Sequence, residues 1–121
     1  MPETTLLKRY AEMHRAPLPN CHDGSGVLDF TAVLDGLDLL GRRLAFLHDD
    51  ILDPGVSIGE HHHDHDEEYY YIISGQGTMQ LDGVRHAVGP GDVSAVFPGG
   101  RHGLENTGDQ PLRILVVGLR T

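Results

Sequence analysis

The spacing of glycine and proline restricts the fold of this chain more than any other feature of its sequence. Sixteen Gly and seven Pro separate short runs of β-branched, aromatic and alternating residues. Frequent turns between short strands are typical of an all-β sandwich or barrel. Because the connections are short, we expect neighbouring strands to be antiparallel. The predicted strands are 27–34, 42–49, 55–63, 67–74, 77–82, 84–88, 93–97, 102–106 and 112–119.

The first 26 residues differ in character from the rest of the chain. Apolar residues between positions 6 and 13 recur near the 3.6-residue period of a helix, which predicts a short turn of helix or an extended arm. The stretch 17–26 is a loop by composition. We therefore expect an N-terminal arm and loop at 1–26 and one β domain at 27–121.

Composition excludes several classes of partner. Nine Lys and Arg against eighteen Asp and Glu give a net charge of −9, which disfavours binding to nucleic acid or to an anionic membrane. A single cysteine, Cys21, excludes an intrachain disulfide. The N-terminus lacks the apolar core of a secretory signal, and no apolar run approaches the length of a membrane span. We expect a soluble cytoplasmic protein.

Four of the nine histidines stand within five consecutive positions. In a strand, alternate side chains share a face, so His61, His63 and His65 would point one way, and His62 and Asp64 the other. Two imidazoles at positions i and i+2 can converge on one ion, although they cannot complete a site alone. The alternative is a solvated tract that binds stray metal as a purification tag does.

Two further features supply additional ligands. Glu68 opens a strongly strand-forming run, and a carboxylate at the start of a buried strand needs a partner. Farther along the chain, His102 follows a Pro-Gly-Gly turn. Three imidazoles and one carboxylate form a mixed nitrogen and oxygen set that suits Fe, Mn, Ni, Co or Zn rather than Ca or Mg.

The spacing of these residues resembles the first sequence motif of the cupin family. That motif reads glycine, five residues, His-x-His, three or four residues, glutamate, six residues and glycine. The residues of this chain that fall on it are Gly55, His61, His63, Glu68 and Gly75.

A second stretch resembles the family's second motif, which reads glycine, five residues, Pro-x-Gly, two residues, histidine, three residues and asparagine. Gly91, Gly99, His102 and Asn106 fit this motif, and Phe97 stands at its first proline position. The two motifs together cover 55–106, and the flanking strands extend the likeness over most of 27–119.

The resemblance implies a double-stranded β-helix, or jelly-roll, barrel with a short N-terminal arm or helix. It also implies that one divalent transition metal ion per chain (Fe, Mn, Ni, Co or Zn) is bound by His61, His63, Glu68 and His102. Glu67 is the only close rival to Glu68, which keeps the six-residue spacing to the following glycine. Small cupins commonly use an N-terminal arm to extend a neighbour's sheet, so we expect a homodimer.

Several other side chains could serve the site. Tyr70 has the same parity as Glu68, which makes it a candidate catalytic acid or hydrogen-bond donor; otherwise it belongs to the core. His62 and His65 are expected at the surface or rim, where His65 could line the entrance.

The remaining candidates carry weaker signals. Either Arg42 or Arg43 could reach the barrel interior and meet an anionic substrate, or both could lie on a solvated edge or a dimer contact. Cys21 and His22 could act as nucleophile and base, but neighbours in sequence rarely reach that geometry and no third orienting residue is evident.

Two classes of function follow from the resemblance. The first is a metal-dependent enzyme acting on a small molecule, either as an oxygenase or as a Lewis-acid isomerase, cyclase or decarboxylase. The second is a non-catalytic cupin that binds or senses a sugar or another metabolite. The fold itself does not choose between them.

Overall fold

The computed structural model describes residues 4–121, which form two antiparallel β-sheets. The strands are β1 (His14–Pro19), β2 (Val27–Leu34), β3 (Leu44–Leu52), β4 (Ser57–His62), β5 (Asp66–Ser74), β6 (Gly77–Leu81), β7 (Val84–Val88), β8 (Val93–Val96), β9 (Arg101–Glu105) and β10 (Leu112–Arg120). One sheet has the order β1-β2-β3-β10-β5-β8 and the other has the order β4-β9-β6-β7. The predicted all-β class is confirmed.

One core lies between the two sheets, because alternate residues of each strand point inward. Along β5, Tyr70 and Ile72 are buried, and along β10 the buried set includes Ile114 and Val116. Met79 from the four-stranded sheet belongs to the same cluster. Full burial of an aliphatic or aromatic side chain of this size contributes about 1.5–3 kcal/mol, so this cluster is the main source of stability.

The N-terminal segment contains a strand that the sequence analysis did not predict. Strand β1 pairs antiparallel with β2 along its whole length and forms the edge of the six-stranded sheet. Its prolines, Pro17 and Pro19, argue against a central strand but are tolerated at an edge. The apolar period before β1 yields a single 3₁₀ turn, Tyr10–Glu12. Two further 3₁₀ turns are Cys21–Asp23 and Gly36–Leu39.

The other nine strands occur where they were predicted, with ends that differ by at most three residues. The largest difference is at β3, which was predicted as 42–49 and runs over Leu44–Leu52. The predicted strand stopped at a pair of charged residues, whereas the structure continues through them and buries Asp50.

The pairing of β4 with β9 contains a β-bulge. Ile58 pairs with Leu104 and His61 pairs with His102, so β4 carries one more residue than β9 between the two pairs. The extra residue returns His61 to the inward side, directly opposite His102. Among residues 4–121, no helix has the length and apolarity needed to cross a membrane.

Candidate metal centre

The four residues on the first and second motifs meet at one point inside the barrel. Atoms able to bind a metal from His61, His63, Glu68 and His102 all lie within 4.8 Å of one another. His61 and His102 come from paired strands of the four-stranded sheet, whereas Glu68 comes from β5 in the six-stranded sheet. His63 follows directly after the end of β4. Both sheets therefore contribute to the site.

The distances between these atoms fit a single ion. The Nε2 atom of His102 is 3.0 Å from Nε2 of His61 and 3.1 Å from Nε2 of His63. It is also 3.2 Å from Oε1 of Glu68. Nitrogen ligands bind transition metals at about 2.0–2.1 Å, so two ligands at right angles around one ion are about 3 Å apart.

The hydrogen bonds of the rings show which nitrogen atoms are free to bind a metal. Nδ1 of His61 is 2.7 Å from the carbonyl oxygen of Gly59, and Nδ1 of His63 is 2.7 Å from Oδ1 of Asp66. Because both oxygens accept, each Nδ1 carries the hydrogen and each Nε2 presents a lone pair. Two lone pairs therefore face Nε2 of His102 at close range, and a cation satisfies this arrangement.

The electrostatics of the site favour a neutral His61 and an ionised Glu68. Burial lowers the pKa of His61 to about 4, so this imidazole is neutral at neutral pH, as ligation requires. Burial alone would raise the pKa of Glu68. The hydrogen bond and charge of His102 outweigh that effect and hold the pKa of Glu68 below its ordinary value, so the carboxylate is ionised.

Tyr70 contacts two of the four proposed metal ligands. Its ring stacks on His102, with ring centres 4.6 Å apart, and its hydroxyl donates a hydrogen bond to Glu68. Burial and the neighbouring Glu68 charge raise the pKa of Tyr70 well above its ordinary value, so the phenol is neutral. Tyr70 thus shares the inward face of β5 with Glu68, as the parity of the sequence predicts.

A second aromatic contact comes from the predicted loop at 17–26, whose proximity to the metal ligands the sequence analysis did not predict. The turn Cys21–Asp23 lies against β4 and places the ring of His22 on His61, with ring centres 3.6 Å apart. The close approach requires glycine, because a Cβ on Gly59 would collide with the carbonyl oxygen of His22. No spacing in the sequence connects this turn with the histidine tract.

A cavity of about 310 Å³ opens beside the ligands. His63, Glu68 and Tyr70 are among the residues that line it. Four further lining residues are inward-facing positions of β2 and β3, in the same six-stranded sheet as β5, that the sequence analysis did not select. They are Phe30, Phe46, His48 and Asp50. The even-numbered alternation along β3 would have placed three of them on one face, but the predicted strand ended before Asp50.

Asp50 is the most unusual of these residues. It is 3% exposed, and its Oδ1 atom has no hydrogen-bond partner among the described residues. Burial raises the pKa of Asp50 to about 7, and the hydrogen bond from the Thr31 backbone amide offsets only part of this effect.

The other histidines of the tract lie outside the site. His62 and His65 are exposed, as expected for surface or rim residues. The expectation that His65 shares a face with His61 and His63 is wrong, because the chain bends at Asp64 and His65 and the strand alternation, which still holds at His63, is lost there. Nδ1 of His62 instead lies 3.0 Å from Oδ1 of the exposed Asp64.

The structure also shows where the residues with weaker sequence signals lie. Arg42 and Arg43 are exposed, precede β3 and do not line the cavity. Cys21 does line it, but burial raises the pKa of its thiol to about 11, which disfavours the thiolate needed for a nucleophile. Asn106 holds a turn by donating to the carbonyl oxygens of Leu52 and Gln110.

Comparison with known proteins agrees with this geometry. The sequence profile described as the cupin domain matches residues 50–118. An oxalate-binding protein from Thermotoga maritima is 30% identical over 114 residues, which are 94% of this chain and 93% of that protein. The chain therefore belongs to the cupin family.

Solved structures support the same fold. A crystal structure described as a predicted oxalate decarboxylase from Thermotoga maritima matches with a TM-score of 0.88 and 28% identity, covering 96% of this chain and 100% of that one. A cupin 2 conserved barrel domain protein from Salinispora arenicola matches with a TM-score of 0.67 and 26% identity, covering 78% and 76%. The predicted jelly-roll barrel is thus confirmed.

Proposed function

We propose that this protein is a metal-dependent enzyme that binds and transforms a small chelating acid of the oxalate class. The observation that carries the proposal is the convergence of three imidazole nitrogens and one carboxylate on a point beside a cavity. The descriptions of the two Thermotoga maritima matches, an oxalate-binding protein in the sequence comparison and a predicted oxalate decarboxylase in the structural one, support the substrate class.

The number of ligands fits a chelating acid. Four protein ligands leave about two of six octahedral positions for a substrate, and two oxygen atoms of one small acid can occupy both. A divalent ion with one carboxylate ligand leaves a local charge of about +1, which favours an anionic substrate. When bound, the metal would polarise the substrate oxygens as a Lewis acid, or, if it is iron, supply redox chemistry.

The protein itself orients the ligands. Asp66 and the Gly59 carbonyl fix the rings of His63 and His61, so that Nε2 of each ring points to the same place. Tyr70 holds the Glu68 carboxylate through its hydroxyl. We propose that Tyr70 acts mainly through Glu68, and that its role as a proton donor to substrate is secondary.

The proposal can be tested on protein purified without a histidine tag. Elemental analysis should find one Fe, Mn, Ni, Co or Zn per chain, and calorimetry should detect oxalate binding to the metal-loaded protein. His102→Ala should lose most of the metal, whereas His62→Ala should keep it because His62 is exposed. Full metal occupancy in His102→Ala would contradict the ligand assignment.

Turnover separates this proposal from a second candidate, non-catalytic binding, which the name of the oxalate-binding relative favours. The protein loaded with each metal should be offered oxalate and related acids, with and without O₂, and the products followed by mass spectrometry together with O₂ uptake. Activity that depends on the bound metal supports the enzyme. Tight binding with no product under any metal supports the binder.

A further inference from the structure

The part of the cavity wall formed by β2 and β3 contains an unsatisfied acid. Asp50 points inward near the end of β3, where it pairs across the sheet with Ile114 on one side and Phe30 on the other. Its buried Oδ1 atom has no partner among residues 4–121, although buried carboxyl oxygens normally accept or donate a hydrogen bond. A group that enters the cavity can supply this missing partner.

The cavity is larger than oxalate requires. At about 30 Å³ for each water, a volume of about 310 Å³ has room for about ten waters, whereas oxalate has six non-hydrogen atoms. Phe30 and Phe46 line the part of the cavity on the same wall as Asp50, so the additional space has both apolar surface and one polar group. This combination fits a ligand that extends beyond its chelating end.

The charges of the lining disfavour a second carboxylate at the far end of that ligand. Among the described residues, neither a lysine nor an arginine lines the cavity, and burial lowers the pKa of the lining histidines His22 and His48, so that end has no fixed positive charge. A carboxylate next to ionised Asp50 would meet a group of the same sign. A hydroxyl or amino group can donate a hydrogen bond to Oδ1 without this cost.

We propose that Asp50 is a specificity-determining residue that accepts a hydrogen bond from a hydroxyl or amino group on the far end of a chelating 2-oxo or 2-hydroxy acid. This inference rests on the proposed function, because it takes the metal centre as the site that holds the chelating end. It narrows the substrate class from oxalate itself to longer acids with a neutral or cationic polar end.

The test measures how much one hydroxyl group contributes to binding. Dissociation constants for the zinc-loaded protein are determined by calorimetry for oxalate and for two pairs of acids, pyruvate with 3-hydroxypyruvate and phenylpyruvate with 4-hydroxyphenylpyruvate. In the unaltered protein, the hydroxylated member of at least one pair should bind about tenfold more tightly.

Three variants assign that preference to Asp50. Asp50→Leu should abolish it, and Asp50→Asn, whose amide oxygen still accepts a hydrogen bond, should retain part of it. Asp49→Leu is the matched control, because Asp49 is the preceding residue of the same strand, faces outward and pairs with Arg113. It should keep the full preference. Oxalate has no donor for Asp50 and should bind Asp50→Asn at least as tightly as the unaltered protein.

The outcomes separate this inference from the proposed function. If oxalate binds but no pair shows a hydroxyl preference, or if folded Asp50→Leu keeps that preference, Asp50 does not determine specificity and the metal-dependent function stands. If no acid binds to the metal-loaded protein, both proposals are wrong. Circular dichroism confirms that each variant is folded. If Asp50→Leu does not fold, the hydroxyl preference of Asp50→Asn decides whether Asp50 determines specificity.

Discussion

At the scale of single residues, Asp66 matters because it controls the orientation of a metal ligand without touching the metal. Its carboxylate accepts the Nδ1 hydrogen of His63 at 2.7 Å. An aspartate in this position fixes the ring and increases the basicity of the nitrogen that binds the metal. The residue was not predicted from the sequence, because only the family's ligand positions carry a spacing signal.

We expect Asp66→Asn to weaken metal affinity by about 10-fold to 100-fold, the usual cost of losing such a partner. Competition with a chromophoric chelator measures the affinity directly. Asp64→Asn is the matched control: Asp64 is an exposed aspartate two residues earlier whose neighbour, His62, is not a ligand, and this change should leave the affinity unaltered. Equal metal affinity in the two variants would remove Asp66 from the site.

The raised pKa of Asp50 also predicts how the stability of the protein changes with pH. Its folded pKa of about 7 is above the ordinary value of 3.8, so between these pH values the folded state holds a proton that the unfolded state has lost. Stability contributed by this group is therefore complete at low pH and is lost as pH rises toward 7. A rise of about 3 in pKa corresponds to about 4 kcal/mol.

Urea unfolding of the metal-free protein and of Asp50→Asn at pH 4.5 and pH 8 tests this prediction. Because the asparagine does not titrate, the free energy of unfolding of the unaltered protein should fall relative to that of the variant between the two pH values. All other ionisable groups are the same in both proteins, so the comparison isolates the contribution of Asp50. If the difference in free energy of unfolding between the two proteins stays constant with pH, the pKa of Asp50 is not raised.

At the scale of elements, the contact between the Cys21–Asp23 turn and β4 decides where the His22 ring lies. Gly59 lacks the Cβ that would collide with the carbonyl oxygen of His22, and Gly24 likewise lacks one that would collide with the carbonyl oxygen of Ser57. Two glycines therefore allow two backbone segments to touch directly.

We expect Gly59→Ala to destabilise the protein by about 1–3 kcal/mol, since the backbone must shift to accommodate the methyl group. The shift should also separate the rings of His22 and His61, which nuclear Overhauser contacts between them would reveal. Gly89→Ala is the control, because the nearest atoms there belong to the flexible side chain of Gln76. A Gly59→Ala protein with unchanged stability and ring contacts would contradict the account.

The elements also show what could be predicted from the sequence and what could not. Alternation along β5 placed Glu68 and Tyr70 on the inward face, because burial imposes a period of two on each strand. The same rule failed at His65, since it holds only while the chain stays extended and the chain bends at Asp64 and His65. Asp50 was missed because desolvation opposes the burial of a carboxyl group, so no hydrophobic pattern predicts one.

At the scale of the whole molecule, the barrel brings together groups that are distant in sequence. His61 and His102 face each other across a strand pair, and Glu68 reaches them from the opposite sheet. The ligand set therefore exists only when both sheets are packed on their common core. Family motifs predicted which residues meet, and the two-sheet packing accounts for why they do.

The outer surface carries a group of exposed apolar side chains where the N-terminal segment meets the Gly36–Leu39 turn. We call it the apolar end patch; it consists of Leu6, Leu7, Leu37 and Leu40. An ion pair of 2.7 Å between Lys8 and Asp38 joins the segment that carries Leu6 and Leu7 to the turn beside Leu37 and Leu40. Leu37 is 90% exposed and Leu40 is 76% exposed, values that are costly for leucines crowded in one place.

We predict that the apolar end patch is buried between two copies of the chain in a homodimer. Sedimentation velocity at micromolar concentration should give twice the chain mass of 13.2 kDa, and Leu37→Glu combined with Leu40→Glu should give the monomer with an unchanged circular dichroism spectrum. Val84→Glu is the control, because Val84 is also exposed, at 57%, but lies on β7 at the edge of the other sheet. It should remain dimeric. A monomer in the unaltered protein would rule out the dimer, and a dimer that survives the double substitution would place its interface elsewhere.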